Sequence, residues 1–138
     1  MFTRASVRGV LVVAAGGLLA GCPARVVSRT ASAQRAVTQA QIQLVVAAVT
    51  VFRASVGRCP TREEGLQALL RKPADAEIGS KWAGPYLGGG KLPVDGWQRP
   101  LKYELVKGPP AERFAVSSAG PDGKFGTTDD IRVVSPNP

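Results

Sequence analysis

Apolar residues recur along this chain in more than one rhythm, and each rhythm predicts a different element. Ile42, Val45, Val46, Val49, Phe52 and Val56 fall at helical spacing while Gln39, Gln43, Thr50 and Arg53 take other faces, so roughly Gln34 to Val56 is predicted as an amphipathic helix. Gly57 supplies a stop, with Pro60 just beyond it. Thr61 and Glu64 form a capping box ahead of Leu66, Leu69 and Leu70, which predicts a second helix of about two turns, ending before Pro73. Farther on the period shortens to two. Leu101, Tyr103 and Leu105 alternate with Lys102, Glu104 and Val106, Phe114 and Val116 with Ala115 and Ser117, and Ile131 and Val133 follow Asp130. These are three short strands, turning at Gly108-Pro109-Pro110 and at Asp122-Gly123. Three antiparallel strands with one polar face need cover on the other, and the first helix has the stripe to provide it. The expected fold is α+β: a long N-terminal amphipathic helix packed on a small three-stranded antiparallel sheet.

Between helices and strands, residues 73–100 are crowded with Gly and Pro, from Gly84-Pro85 through Gly88-Gly89-Gly90 to Pro93, Gly96 and Pro100. They read as a long ordered loop that needs pinning, with Trp82, Tyr86 and Trp97 as the residues to pin it to the core. Gly88-Gly89-Gly90-Lys91 is a flexible turn, because Pro85 and Leu92 stand where a phosphate loop needs Gly and Ser or Thr.

The N-terminus has a third pattern. Arg4 and Arg8 precede an apolar or glycine run from Gly9 to Ala20 that ends in Leu18-Leu19-Ala20-Gly21-Cys22, the layout of a secretory signal peptide. Its apolar part is too short to span a bilayer, which takes about 20 residues. The ending resembles a bacterial lipobox, which implies cleavage after residue 21 and acylation of the Cys22 thiol and amine. Several acyl chains on one residue anchor stably where one binds marginally. Residues 22–34, rich in Ala, Ser, Arg and Thr, then read as a tether, and residues 35–138 as the globular domain. The expected location is the cell envelope, facing the periplasm, with the outer membrane favoured over the inner.

Charge and composition narrow the function further. The whole chain carries +8, and removing Arg4 and Arg8 with residues 1–21 leaves +6 on one domain's length. The cations are spread without a cluster, which points away from nucleic acid and toward a solvated surface, attracted to anionic headgroups at most. With Cys22 lipidated, Cys59 is alone and expected to be buried. There is no histidine, so no Ser-His or Cys-His nucleophile can form. Glu63 and Glu64 diverge by about 100° on a helix and cannot flank one bond. Neither an enzyme nor a small-molecule binder is expected.

One cluster breaks the basic trend. Asp122, Asp129 and Asp130 place three of the ten acids within nine residues, among Gly120, Gly123 and Gly126. Oxygen donors without His or Cys suit a hard cation such as Ca²⁺. It is not an EF-hand, since Lys124 and Gly126 occupy positions that need oxygen side chains. The residues alone read equally well as a hairpin turn leading into a solvated Thr128-Asp129-Asp130 loop.

Three further blocks stand in order along the chain: Arg58-Cys59-Pro60-Thr61-Arg62-Glu63-Glu64-Gly65-Leu66-Gln67-Ala68-Leu69, Leu92-Pro93-Val94-Asp95-Gly96-Trp97-Gln98-Arg99-Pro100 and Ser118-Ala119-Gly120-Pro121-Asp122-Gly123. Over about residues 35–134 the chain resembles the globular domain of the major pseudopilin of type II secretion. The resemblance implies a Ca²⁺ site with Asp122, Asp129 and Asp130 as side-chain ligands and the Ala119 carbonyl as a backbone ligand. It also implies a structural or accessory role in type II protein secretion beside other pseudopilins. Members of that family begin with a prepilin signal and an apolar filament helix, where this chain has Cys22 and Pro-Ala-Arg-Val-Val-Ser-Arg. Cys59, Gly96, Gln98 and Arg99 are smaller departures. The competing expectation is an envelope lipoprotein that uses the same calcium-stabilised fold for binding or scaffolding outside secretion.

Overall fold

The computed structural model describes residues 24–106 and 112–135, with side chains from Thr30 onward. The expected signal peptide, Cys22 and the Gly108-Pro109-Pro110 turn lie outside the described residues. Helix α1 runs Ala24–Val56, so residues 24–34, expected to be a tether, are helical. No Gly or Pro interrupts this stretch, and its Ala, Arg and Gln residues are strong helix formers even without an apolar stripe. The buried face of α1 is Thr38, Ile42, Val45, Ala48, Val49, Phe52 and Val56. By length and composition Thr30–Val56 is apolar enough to cross a membrane, yet this face is the domain's own core.

Strands β1 (Lys102–Val106), β2 (Arg113–Ser118) and β3 (Ile131–Val134) form one antiparallel sheet in sequence order. The register sets Tyr103 against Val116, Leu105 against Phe114 and Val116 against Val133, so one face is apolar up to Ser118 at the end of β2 and meets α1. Phe114 and Val116 are within 1 % of complete burial and join Ile42, Val45, Phe52 and Leu69 in the core. On the other face Glu104 bonds Lys102 at 2.7 Å, with Arg132 at 3.8 Å. The expected α+β architecture is the observed one.

The capping box forms as predicted, with Glu64 N donating to Thr61 Oγ1 (3.2 Å) and Thr61 N to Glu64 Oε2 (2.8 Å). It opens a 3₁₀ segment, Gly65–Leu69, and not the two-turn α-helix that was expected. Gly65 sits at φ +53°, a left-handed conformation that breaks a continuous helical path and is cheap only for glycine. A second α-helix, α2 (Ala76–Lys81), stands inside the segment expected to be loop. Asp75 caps it, accepting from Glu77 N (2.9 Å) and Ile78 N (3.1 Å). Trp82 and Tyr86 pin the remainder: Trp82 Nε1 donates to the Ala68 carbonyl (2.9 Å), Tyr86 N to that of Leu69 (2.8 Å), and Tyr86 meets the rings of Phe52 and Trp82 edge-on. Cys59 is buried, which pushes its thiol pKa up.

Candidate functional site

Two of the three sequence blocks come together at one end of the sheet, and the residue that joins them is Asp95. Its carboxylate is 1 % exposed. Oδ1 accepts from Trp97 N (2.9 Å) and Arg99 N (2.8 Å), closing the turn that Gln98 completes at φ +63°. Oδ2 accepts from Ser118 Oγ (2.7 Å), at the end of β2, and that hydroxyl in turn accepts from Gly120 N (3.1 Å). A buried carboxylate with three donors satisfies the requirement that buried charge be compensated. It also ties the tryptophan turn to the first residues of the acidic loop.

The same turn is fastened to α1. Thr38, fully buried, donates to the Gln34 carbonyl (2.8 Å) and accepts from Gly96 N (2.9 Å). A Cβ on residue 96 would run into the Gln34 backbone, so the helix and turn approach as closely as they do only because that residue is glycine.

Arg99 reaches from the turn to the loop. Its guanidinium donates to the carbonyls of Gly120 (2.6 Å) and Pro121 (3.2 Å), and a Cβ on Gly123 would stand 2.8 Å from it. The start of the acidic loop is thus held by a cation of the chain itself, in addition to the Asp95–Ser118–Gly120 chain of bonds.

The sequence-predicted ligands lie in the loop beyond. Asp129 Oδ1 and Asp130 Oδ1 face one hydroxyl, Thr127 Oγ1, at 2.5 and 3.5 Å. Asp129 Oδ2 accepts from Asp122 N (3.2 Å), Asp130 Oδ2 from Gly126 N (2.7 Å), and Asp122 Oδ1 from Lys124 N (2.8 Å). The Thr127 hydroxyl, ahead of the Asp122 amide, holds the Asp129 carboxyl below its ordinary pKa. Ala119 is buried where the loop leaves β2. All donors are oxygen, which fits a hard cation in kind. In arrangement, Asp129 and Asp130 converge while Asp122 turns to its own Asx turn, and among the described residues no three His, Cys, Asp or Glu side chains are grouped to hold a metal ion.

Asp95, Ser118 and Arg99 carry this junction, and in the sequence they stand out only as parts of a motif. The available signal was an acid ahead of Gly-Trp between two prolines, an Asx-turn pattern with an apolar setting. Glu64, half of the adjacent Glu63–Glu64 pair, serves the fold: Arg58 grips it with two bonds of 2.7 and 2.8 Å, and that grip holds its pKa at about 2.

Comparison with known proteins bears on the family and the fold. A family model described as type II secretion system (T2SS), protein G, matches residues 25–136. The type II secretion system core protein G of Pseudomonas aeruginosa is 35% identical over 124 residues, spanning 88% of this chain and 83% of the relative. That of Aeromonas hydrophila is 36% identical over 85 residues, 61% of this chain and 57% of the relative. The crystal structure of the major pseudopilin from the type 2 secretion system of enterohaemorrhagic Escherichia coli superposes with a TM-score of 0.56 at 26% identity, covering 76% of this chain and 86% of that one. With the same helix packed on the same small sheet and a match that runs nearly from the start of α1 to the end of β3, the chain belongs to the type II secretion system protein G family.

Proposed function

We propose that this chain is a lipid-anchored pseudopilin-type subunit that serves as a structural or accessory component of type II protein secretion. The observation that carries the reading is the Asp95 junction, where the tryptophan turn and the acidic loop, two of the three resemblance blocks, fold onto each other and onto α1 in a domain of the pseudopilin fold. Its partners are other pseudopilins and envelope components. Leu18-Leu19-Ala20-Gly21-Cys22 supports anchoring through Cys22 at a membrane face toward the periplasm.

Within this reading the loop holds Ca²⁺, with Asp122, Asp129 and Asp130 as side-chain ligands and the Ala119 carbonyl beside them. Bound there, the ion would neutralise three adjacent carboxylates and brace the loop against the sheet. The convergence of Asp129 and Asp130 on Thr127 supports the site, while Asp122 bonds the Lys124 amide instead.

Deletion of the gene tests the role. Export of folded proteins by type II secretion is expected to fall, and to return with the intact chain but not with Cys22→Ser. Undiminished export in the deletion strain refutes the reading. Mass spectrometry of the native N-terminus and fractionation of the envelope report the acyl chains and the membrane that holds them.

A further inference from the structure

Residues 119–130, between β2 and β3, carry three aspartates and turn through Gly120 at φ +61°, Gly123 at φ +72° and Gly126 at φ +90°. Pro121 to Thr128 are exposed, so little packing fixes their shape. Many of the loop's polar bonds stay within it, from Asp122 N, Lys124 N and Gly126 N to its own carboxylates. Among the described residues, the side-chain hydrogen bonds that join it to the rest of the chain are those of Ser118, at its root, and of Arg99. Lys102 adds a cation over the Phe125 ring, 5.1 Å from its centroid.

Arg99 is placed to do for this turn what a bound ion does for an acidic loop. Its guanidinium is seated against residues 120–123: the carbonyls of Gly120 (2.6 Å) and Pro121 (3.2 Å) accept from it, and a side chain at residue 123 would strike it. Charge-assisted bonds of this kind are about twice as strong as neutral ones. Gly120 also meets Asp129, since a Cβ there would run into the Asp129 backbone and stand 3.0 Å from Asp129 Oδ2, which accepts from Asp122 N. One turn thus touches both the cation and an expected metal ligand. No ion pair joins Arg99 to the three aspartates among the described residues, so its charge goes to the carbonyls and the carboxylates are left without a cation.

A divalent ion among Asp122, Asp129 and Asp130 would share that turn with the guanidinium. Like charges raise each other's energy as the inverse of their separation, and solvent at the rim of a loop weakens this without removing it. The Gly120 and Pro121 carbonyls, bonded to Arg99, are also withdrawn from the oxygens that an ion can recruit. Each cation makes the other less needed and less favoured. By linkage the effect is reciprocal: an ion that weakens the hold of Arg99 has its own affinity weakened by Arg99 to the same factor.

We infer that Arg99 is a built-in brace of the acidic loop and an antagonist of calcium there: it keeps residues 120–130 in shape when the ion is absent and weakens the ion's hold when it is present. The antagonism rests on the calcium reading, and the brace does not. The test digests the purified full chain with a lysine-specific protease, in EGTA and in millimolar calcium, and follows two cuts by mass spectrometry. Lys124 lies inside the loop, and Lys81, at the end of α2, reports opening of the domain elsewhere. In EGTA, Arg99→Met keeps the apolar stem and removes the charge; it should be cut at Lys124 about ten-fold faster than wild type or more, with Lys81 unchanged. In calcium both chains should slow, and the ratio between them should fall below about three. Equal cleavage in EGTA, or an acceleration shared by Lys81, overturns the brace. A ratio that calcium leaves as it was overturns the antagonism, with the calcium reading intact. Calcium that slows neither chain refutes the calcium reading instead, and the antagonism falls with it, while the EGTA result still decides the brace.

Discussion

Replacing Asp95 by alanine should cost this domain a large share of its stability. The substitution leaves three donors without their acceptor, the amides of Trp97 and Arg99 and the Ser118 hydroxyl. An orphaned buried donor costs about 1–3 kcal/mol, so the simple sum is about 3–9 kcal/mol. Ser118 Oγ can rotate, and Trp97 and Arg99 are only half-buried, which brings the expectation to about 3–5 kcal/mol. For a domain of this length that lowers the melting temperature by about 10–20 °C, and it removes a third or more of an ordinary domain's stability. Urea titration of the purified chain measures it, with the slope against denaturant expected unchanged. Ser118→Ala should cost about 1–3 kcal/mol, and the double variant less than the sum, because both delete the same bond. A loss below about 1 kcal/mol for Asp95→Ala, or strict additivity with Ser118→Ala, would refute the idea that Asp95 is the point through which turn and loop are joined.

Two further outcomes can be measured on the same material. Glu64 is held at about 2 instead of its ordinary 4.5, first by the Arg58 bond, so its stabilisation is complete above pH 4.5 and disappears as pH falls toward 2. The shift corresponds to about 3 kcal/mol at most, reduced to about 1–2 kcal/mol by solvent at the rim of the pair. Acid unfolding of Glu64→Gln should lack that component, and a wild-type pH profile in the variant would contradict the assignment. Calcium at about 100 times its dissociation constant should raise stability by about 2.7 kcal/mol, and Asp129→Asn should abolish the rise; a melting temperature indifferent to calcium rules out the site.

The elements that local chemistry specifies were legible in the sequence. The stripe from Ile42 to Val56 and the alternation in the three strand segments pointed to the α+β arrangement, and Thr61 and Glu64 bond as a capping box should. Trp82 is pinned to the Ala68 carbonyl, as its place in a Gly/Pro loop required. Where expectation and structure part, the cause is a competition that pattern does not display. Helix α1 begins earlier than its apolar stripe because alanine and arginine sustain a helix without one. Gly65 turns the second helix into a 3₁₀ segment through its φ alone. The Asp95–Ser118 bond spans 23 residues, and no periodicity reports a contact made across the chain by two polar side chains. Asp122, Asp129 and Asp130 were identifiable as a cluster; that two of them share Thr127 and the third does not is a matter of loop geometry.

The bond between Thr38 and Gly96 has a mechanical consequence. A pull applied at the N-terminal end of α1 is carried by this bond together with Ile42, Val45, Val49 and Phe52, which lie in line along the helix against the sheet. Force along that axis loads them in shear, so they resist together. A pull at the other end meets Ser135, bonded to Phe114 through its amide and its hydroxyl, and behind it an edge strand. The ladder of β3 would open there one pair at a time. The domain is built to bear tension from the end where its helix begins.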